Sequence, residues 1–361
     1  MNKFSIARKS LAVPLFAAIS LSMIHAPVNA ADYPQRAAIA GNSAKYGLGV
    51  SDVALLRRDS GPGASVRVDQ LLKQFSASTD PITTRGIFKT ERGEQKTNVI
   101  GEGWSLSVFG DGSRMKYRNY AYLDGPNNKP LPLTSRLSQD ALEKLGRNFV
   151  ATKLGQFAVL GRGEALIPYF TQFQVGGGGS TEPGVKSVAE EVFANTVIFA
   201  RSVNGIPVLG PGSKIAVIFA NDGQPVGFDL DWSSYQVSTA RQKAATLTDI
   251  QSRAKKVFPF DLSAADTKTT RFECGYFDLG ARKRDVNAPI QTACLVHANK
   301  RQIVDKVAYS KDPNSGHTVA AYMSPVPAGA TIERDTNWPE ALLLLGIKPT
   351  NTDVPPTTRL R

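Results

Sequence analysis

Arg114, Lys116, Arg118, Tyr120 and Tyr122 recur at every second position. Alternate residues of a strand share a face, so this spacing predicts a row of cations running into aromatics, able to follow a polyanion or stack on sugar rings. Charged side chains on an exposed strand also guard it against aggregation, which is the plainer account of the same pattern. Asp229 and Asp231 have strand spacing too, with α-carbons about 6.6 Å apart. Paired carboxylates of this kind divide acid and base roles in glycoside hydrolysis or chelate calcium. The wet face of a strand carries such residues without chemistry, and Arg201 on a nearby strand is expected to neutralise one of them. Ser113-Arg-Met-Lys116 has the Ser-x-x-Lys spacing of serine β-lactamases, but it falls on a predicted strand and lacks the Ser-Asp-Asn and Lys-Thr-Gly companions. Gly205 to Lys214 fails as a phosphate loop because Pro211 follows Gly210 where a lysine is needed. A Ser-His-Asp set would draw on His297 or His317, and no Gly-x-Ser-x-Gly elbow supplies its serine. No catalytic residue, metal ligand or cofactor is therefore nominated. The binding candidates are the Arg114, Lys116, Arg118, Tyr120, Tyr122 face and Asn204.

The elements that must position these residues are legible in outline. Gly103 to Tyr122 reads as a hairpin with Gly110-Asp111-Gly112 at its tip. Helices are predicted over Val66–Phe75, from a Ser138 cap to about Leu154 with Gly155 as the stop, and over Thr246–Phe258. Asp124 to Pro130 has linker composition, and Gly176 to Ser180 that of a flexible loop after a strand at Ile167–Val175. Further strands are predicted at Thr270–Phe277, Ile290–His297, Ile303–Tyr309 and His317–Met323. Between Ala194 and Trp232 the chain writes a meander: Asn204-Gly205 and Asn221-Asp222-Gly223 sit where tight turns need positive φ. In its last strand Val226, Phe228, Leu230 and Trp232 alternate with Gly227, Asp229 and Asp231.

Phe199-Ala-Arg-Ser-Val-Asn-Gly-Ile-Pro-Val-Leu-Gly210, followed by an apolar strand, Asp222-Gly223 and another alternating strand, resembles the PepSY and thermolysin-propeptide (FTP-like) type of secreted module over Ala194 to Trp232. That resemblance implies one helix against an antiparallel sheet, in proteins that bind or restrain other proteins. The His-Glu-x-x-His motif of the associated proteases is absent, so any restraint would act in trans. Gly205, Pro207 and Gly210 are expected to serve backbone geometry, with Ile206 and Val208 in the core.

Lys3, Arg8 and Lys9, the apolar run Leu11 to Ile24 and the small-residue site Val28-Asn29-Ala30 read as a secretory signal peptide cleaved near Ala30. The apolar run is shorter than the roughly twenty residues a spanning helix needs. No later segment predicts a membrane span, so a secreted or periplasmic protein is expected. Cys274 and Cys294 are the 2 cysteines of the 361-residue chain, and in an oxidising compartment they are most simply one disulfide. The formal net charge of +12 favours weak, salt-sensitive contact with polyanions or cell wall, but the charge is dispersed and specifies no nucleic acid. The expected organisation is a signal peptide (1–30), an extended lead-in (31–65), a helix plus hairpin region (66–135), a PepSY-like α+β unit (136–240), a second α+β unit with the disulfide (241–348) and a disordered tail (349–361). The fold class is α+β, a helix packed on an antiparallel meander sheet in two such units. The expected function is an exported, non-enzymatic protein- or peptide-binding protein, restraining a secreted or envelope protease in trans. The alternatives are an envelope hydrolase with an unrecognised site and a glycan or polyanion binder.

Overall fold

The computed structural model describes residues 52–75, 81–90, 93–178, 188–258, 260–262, 267–280, 289–312 and 317–329. The expected signal peptide, its expected cleavage site and the tail from 349 lie outside them. The described chain is mostly β, with helices inserted. The strands are β1 (Asp52–Arg58), β2 (Ile82–Lys89), β3 (Gln95–Gly101), β4 (Trp104–Phe109), β5 (Arg114–Asn119), β6 (Leu131–Pro132), β7 (Glu164–Gly178) and β8 (Val188–Val203). They continue as β9 (Ile206–Leu209), β10 (Lys214–Phe219), β11 (Pro225–Asp231), β12 (Tyr235–Lys243), β13 (Thr267–Phe277), β14 (Thr292–Ile303) and β15 (His317–Pro327). The α-helices are α1 (Ala64–Phe75), the single turn α2 (Tyr120–Leu123), α3 (Gln139–Phe149), α4 (Leu247–Val257) and α5 (Lys306–Lys311).

One sheet carries most strands in the order β15-β14-β13-β9-β8-β10-β11-β5-β4-β3-β2, with β6 and β7 also on β8; β1 and β12 form a separate pair. Pairing is antiparallel except where β13 runs parallel to β9. Because β5 pairs with β11 and β9 with β13, hydrogen bonding crosses the expected boundaries after 135 and after 240. The turns follow from local chemistry: Asn204 and Gly205 take φ of 49° and 79° between β8 and β9, and Gly223 takes 86° between β10 and β11. Ser138 caps α3 by accepting from the Ala141 amide. Thr246 and Asp249 form a reciprocal capping box on α4.

Packing follows the alternation. Val68 and Leu71 of α1 and Leu142 and Phe149 of α3 join Val99, Leu106, Met115, Val197, Phe199 and Phe228 in one core. Ile250 and Ala254 of α4 join Cys274, Cys294 and Val296 in a second. Cys274 and Cys294 stand directly opposite one another on β13 and β14 and are disulfide-bonded.

The extended lead-in is ordered over β1, which pairs with β12 and buries Val53, Leu55 and Leu56. The helix capped by Ser138 runs to Leu154, its last residues, Val150–Leu154, forming a wider π-type turn. Other local expectations are corrected. Asp124 to Pro130 is not a free linker, since Asn128 is buried, donates to the Leu123 and Phe193 carbonyls and accepts from the Asn221 amide. Gly176 to Gly178 continue β7, because their backbone finds partners on the long β8; glycine composition reads as a loop only where no strand is on offer. The strand expected at Ile303–Tyr309 is instead the end of β14 followed by α5. Asp305 accepts from the Val307 and Ala308 amides and so starts a helix.

Candidate functional site

Register divides the sheet into two faces. Ser107, Lys116, Asp229, Ala216 and Ile198 are successive cross-strand partners from β4 to β8. Ser105, Arg118, Gly227, Ile218 and Thr196 form the next row. Cross-strand partners share a face, and it is the other face, with Leu106, Tyr117, Phe228, Val217 and Val197, that receives α1 and α3. Apart from Gly227, the outer rows are half-buried throughout. They mix hydroxyls, ions and aliphatic groups on a rigid backbone.

The expected cation row is only partly of this kind. Lys116 and Arg118 lie on the outer face, but both pair with one carboxylate, Asp229, at 2.9 and 2.7 Å. The guanidinium of Arg118 also donates to the Tyr117 and Phe228 carbonyls. Arg114 is buried, 3.5 Å from Glu94 and stacked 4.1 Å from the Phe109 ring centroid. Tyr120 and Tyr122 do not continue the row. β5 ends at Asn119, whose side chain accepts from the Tyr122 amide and starts α2. The Tyr122 hydroxyl then donates to Asp222, an exposed contact that raises the phenol pKa and lowers that of the carboxylate. Asn-x-x is a cap signal that the period-2 spacing masked.

Of the two carboxylates Arg201 interacts with Asp231, whereas Asp229 is taken by Lys116 and Arg118. Arg201 is fully buried on the inner face, 3.2 Å from Glu164 and held between the Trp232 and Tyr235 rings, at 3.9 and 4.4 Å from their centroids. Burial lowers its pKa, and Tyr235 and Glu164 oppose that. Nearby, Asp278 pairs with Arg58 and accepts from the Tyr235 hydroxyl, which lies 2.5 Å from the Ser213 hydroxyl. This polar knot fixes the turn after β9. A Cβ on Gly210, at φ 83°, would stand 2.5 Å from the Asp278 carbonyl oxygen. Asn204 lies at the opposite end of β9, where its amide donates to the Gly163 carbonyl. Pro207 pairs with Ser202 inside the sheet.

Sequence reasoning passed over Lys214 because it opens an apolar strand. Its ammonium donates to the Val208 and Gly212 carbonyls at 2.8 and 3.2 Å and lies 5.1 Å from the Tyr169 ring centroid. Burial pushes its pKa down to about 7, with Asp231 opposing and Arg201 reinforcing the shift. Tyr169 also lines a small outer-face cavity with Ile167, Ala200, Pro207, Leu209 and the buried Glu273. His297 stands 3.7 Å from Glu273. A lysine poised near neutrality beside a cavity is a feature of functional sites. The two carbonyls it holds give it a structural task in the same place.

No family model matches the chain, and no curated protein matches it in sequence. Among solved structures it is similar to an uncharacterized protein from Eubacterium rectale, at 12% identity and a TM-score of 0.45, over 79% of this chain and 86% of that one.

Proposed function

We propose that this is an exported, non-enzymatic protein that binds another protein or a peptide, the PepSY-like stretch Ala194 to Trp232 serving as its scaffold. The observation that carries the reading is the outer face from β4 to β8, where Ile198, Ala216 and Ile218 lie half-buried beside Ser105, Ser107, Lys116 and Asp229. A broad, partly exposed sheet surface of mixed chemistry suits a macromolecular partner better than a small substrate. The disulfide is compatible with an extracellular or periplasmic setting, and no helix among the described residues is long and apolar enough to cross a membrane. The placement of the cations favours this reading over a polyanion binder, since Lys116 and Arg118 already share Asp229. Restraint of a protease in trans is the finer form of the proposal.

The test is binding of a protein or peptide array by the wild type and by an Ile198→Ser/Ile218→Ser variant of unchanged melting temperature. Loss of a defined set of ligands in the variant is expected. Turnover of an ester, glycoside or peptide library by purified protein, abolished in Asp229→Asn, would replace the reading with a hydrolase.

A further inference from the structure

The two ends of the large sheet differ in how they are finished. β15 carries Pro325 and Pro327, which cannot donate to a further strand. β2 has no proline and, among the described strands, is bonded only to β3. From Thr84 to Lys89 its register with β3 is unbroken, so alternate amides and carbonyls point away from the sheet as a free template. Its side chains are open as well: Ile82, Ile87 and Phe88 are 47%, 71% and 47% exposed. Exposed apolar groups on an open, regular edge are what proteins ordinarily avoid.

The charge beside this edge is of one predominant sign. Phe88 faces Lys96, Lys96 faces Phe109 and Phe109 faces Arg114 across consecutive strands. The Lys96 ammonium lies 5.4 Å from the Phe109 ring centroid. Glu94 is engaged by Arg114, and Lys116 stands one row further along, held by Asp229. On the opposite face of β2, Arg85 reaches Asp69 of α1 at 3.1 Å, and Lys89 is exposed. A second copy of β2 pairing here would bring Arg85 and Lys89 of both chains together, which like-charge repulsion disfavours.

We infer that β2 is a strand-addition site for an extended segment of another protein in which acidic and apolar residues alternate. The main chain of that segment would complete the edge hydrogen bonds. Alternation puts its carboxylates on one face, where they would meet Lys89, and its apolar groups on the other, where they would meet Phe88 beside Lys96. This rests on the binding function proposed above and names the chemistry of the partner.

The probe is a capped ten-residue peptide of alternating glutamate and valine, titrated into the full protein and followed by anisotropy and by hydrogen exchange. Its lysine–valine counterpart and a version N-methylated at alternate residues serve as controls. The acidic peptide should bind at least about tenfold tighter than the basic one at low salt. It should protect amides of β2 and lose affinity on N-methylation. The Lys89→Glu/Lys96→Glu variant, whose melting temperature is checked first, should reverse the preference. Protection mapped to β8 and β10 instead would overturn strand addition and leave the binding reading standing. Binding indifferent to N-methylation, concentration-dependent dimerisation through β2 without peptide, or no binding of any peptide while the array still yields ligands lost in Ile198→Ser/Ile218→Ser would each overturn the inference alone. Silence of both assays would remove both.

Discussion

The two ends of one sheet hold their helices by different means. Where α1 and α3 pack, the core is aromatic: Trp104, Phe149, Phe157, Phe199, Phe219, Phe228 and Trp232 are all buried. Phe228 sits at its centre, with ring centroids of Phe75, Tyr117 and Phe149 at 5.0, 6.0 and 6.4 Å. Where α4 packs on β13 to β15, small residues predominate: Ala245, Ala254, Ala293, Ala298, Ala328 and the cysteine pair lie with Ile250, three valines and a single buried aromatic, Phe258. Stabilisation by burial scales with apolar area, so the second region gains less per residue, and its two strands are tied covalently. A sheet that is continuous in hydrogen bonding is thus uneven in what anchors it.

The sharpest way to break that contrast is Phe228→Ala. Removing a fully enclosed aromatic should cost about 3–5 kcal/mol in urea unfolding, transfer and cavity terms together. A loss under about 1 kcal/mol would mean that the aromatic cluster is not the main anchor. Next comes Cys274→Ser with Cys294→Ser. The 20-residue separation should make the double variant about 3 kcal/mol less stable in the chain-entropy account. Hydrogen exchange should localise the loss to β13 to β15 and leave β4, β5 and β11 protected. Uniform loss across the sheet would show that the two regions unfold as one.

Smaller again are the turns between the regions. Gly205 at φ 79° has open space around it, so Gly205→Val should cost roughly 1–3 kcal/mol through backbone strain alone. Gly210→Val should cost more by thermal melt, because its Cβ would also meet the Asp278 carbonyl. Equal losses at the two positions would remove the role given to the polar knot. An intact melting temperature with lost ligand capture in Gly205→Val would instead move the binding site to Asn204.

Turns, caps and alternation were legible because they are local. Asn204-Gly205, Ser138, Thr246 and the Val226 to Trp232 alternation each need only a few residues to be read. What escaped was set by distant partners. Gly176 to Gly178 are strand because β8 lies alongside, Asn128 is buried because Asn221 meets it, and Arg201 found Glu164, Trp232 and Tyr235 on its own face, leaving Asp229 to Lys116 and Arg118. β1 was hidden in a Gly- and Ala-rich lead-in because its partner β12 comes some 180 residues later. The Arg114 to Tyr122 row ends at Arg118 for a different reason. Two local signals competed there, and the Asn119 cap stopped the strand. The accessible outer face and the open β2 edge belong to topology, which single-strand periodicity does not contain.

A pH dependence is expected at the place where the two regions join. Lys214 lies on β10, and its ammonium reaches across to the Val208 carbonyl of β9, the strand that pairs with β13. Burial holds its folded pKa at about 7, against about 10.4 for an unfolded chain. Between those values the unfolded chain binds the proton more tightly, so stability should rise as pH increases from 7 towards 10. The groups facing Lys214 are Tyr169, Asp231 and Arg201. The raised phenols of Tyr235 and Tyr276 titrate above this window and act with the opposite sign, so the measurement belongs below pH 10. Melting temperatures of the wild type should climb across that range while those of Lys214→Met stay level, the difference being the lysine's own contribution. A flat wild-type profile would mean that the Val208 and Gly212 carbonyls keep the ammonium charged at the seam. The link between the aromatic and the disulfide-tied regions would then be a fixed cation.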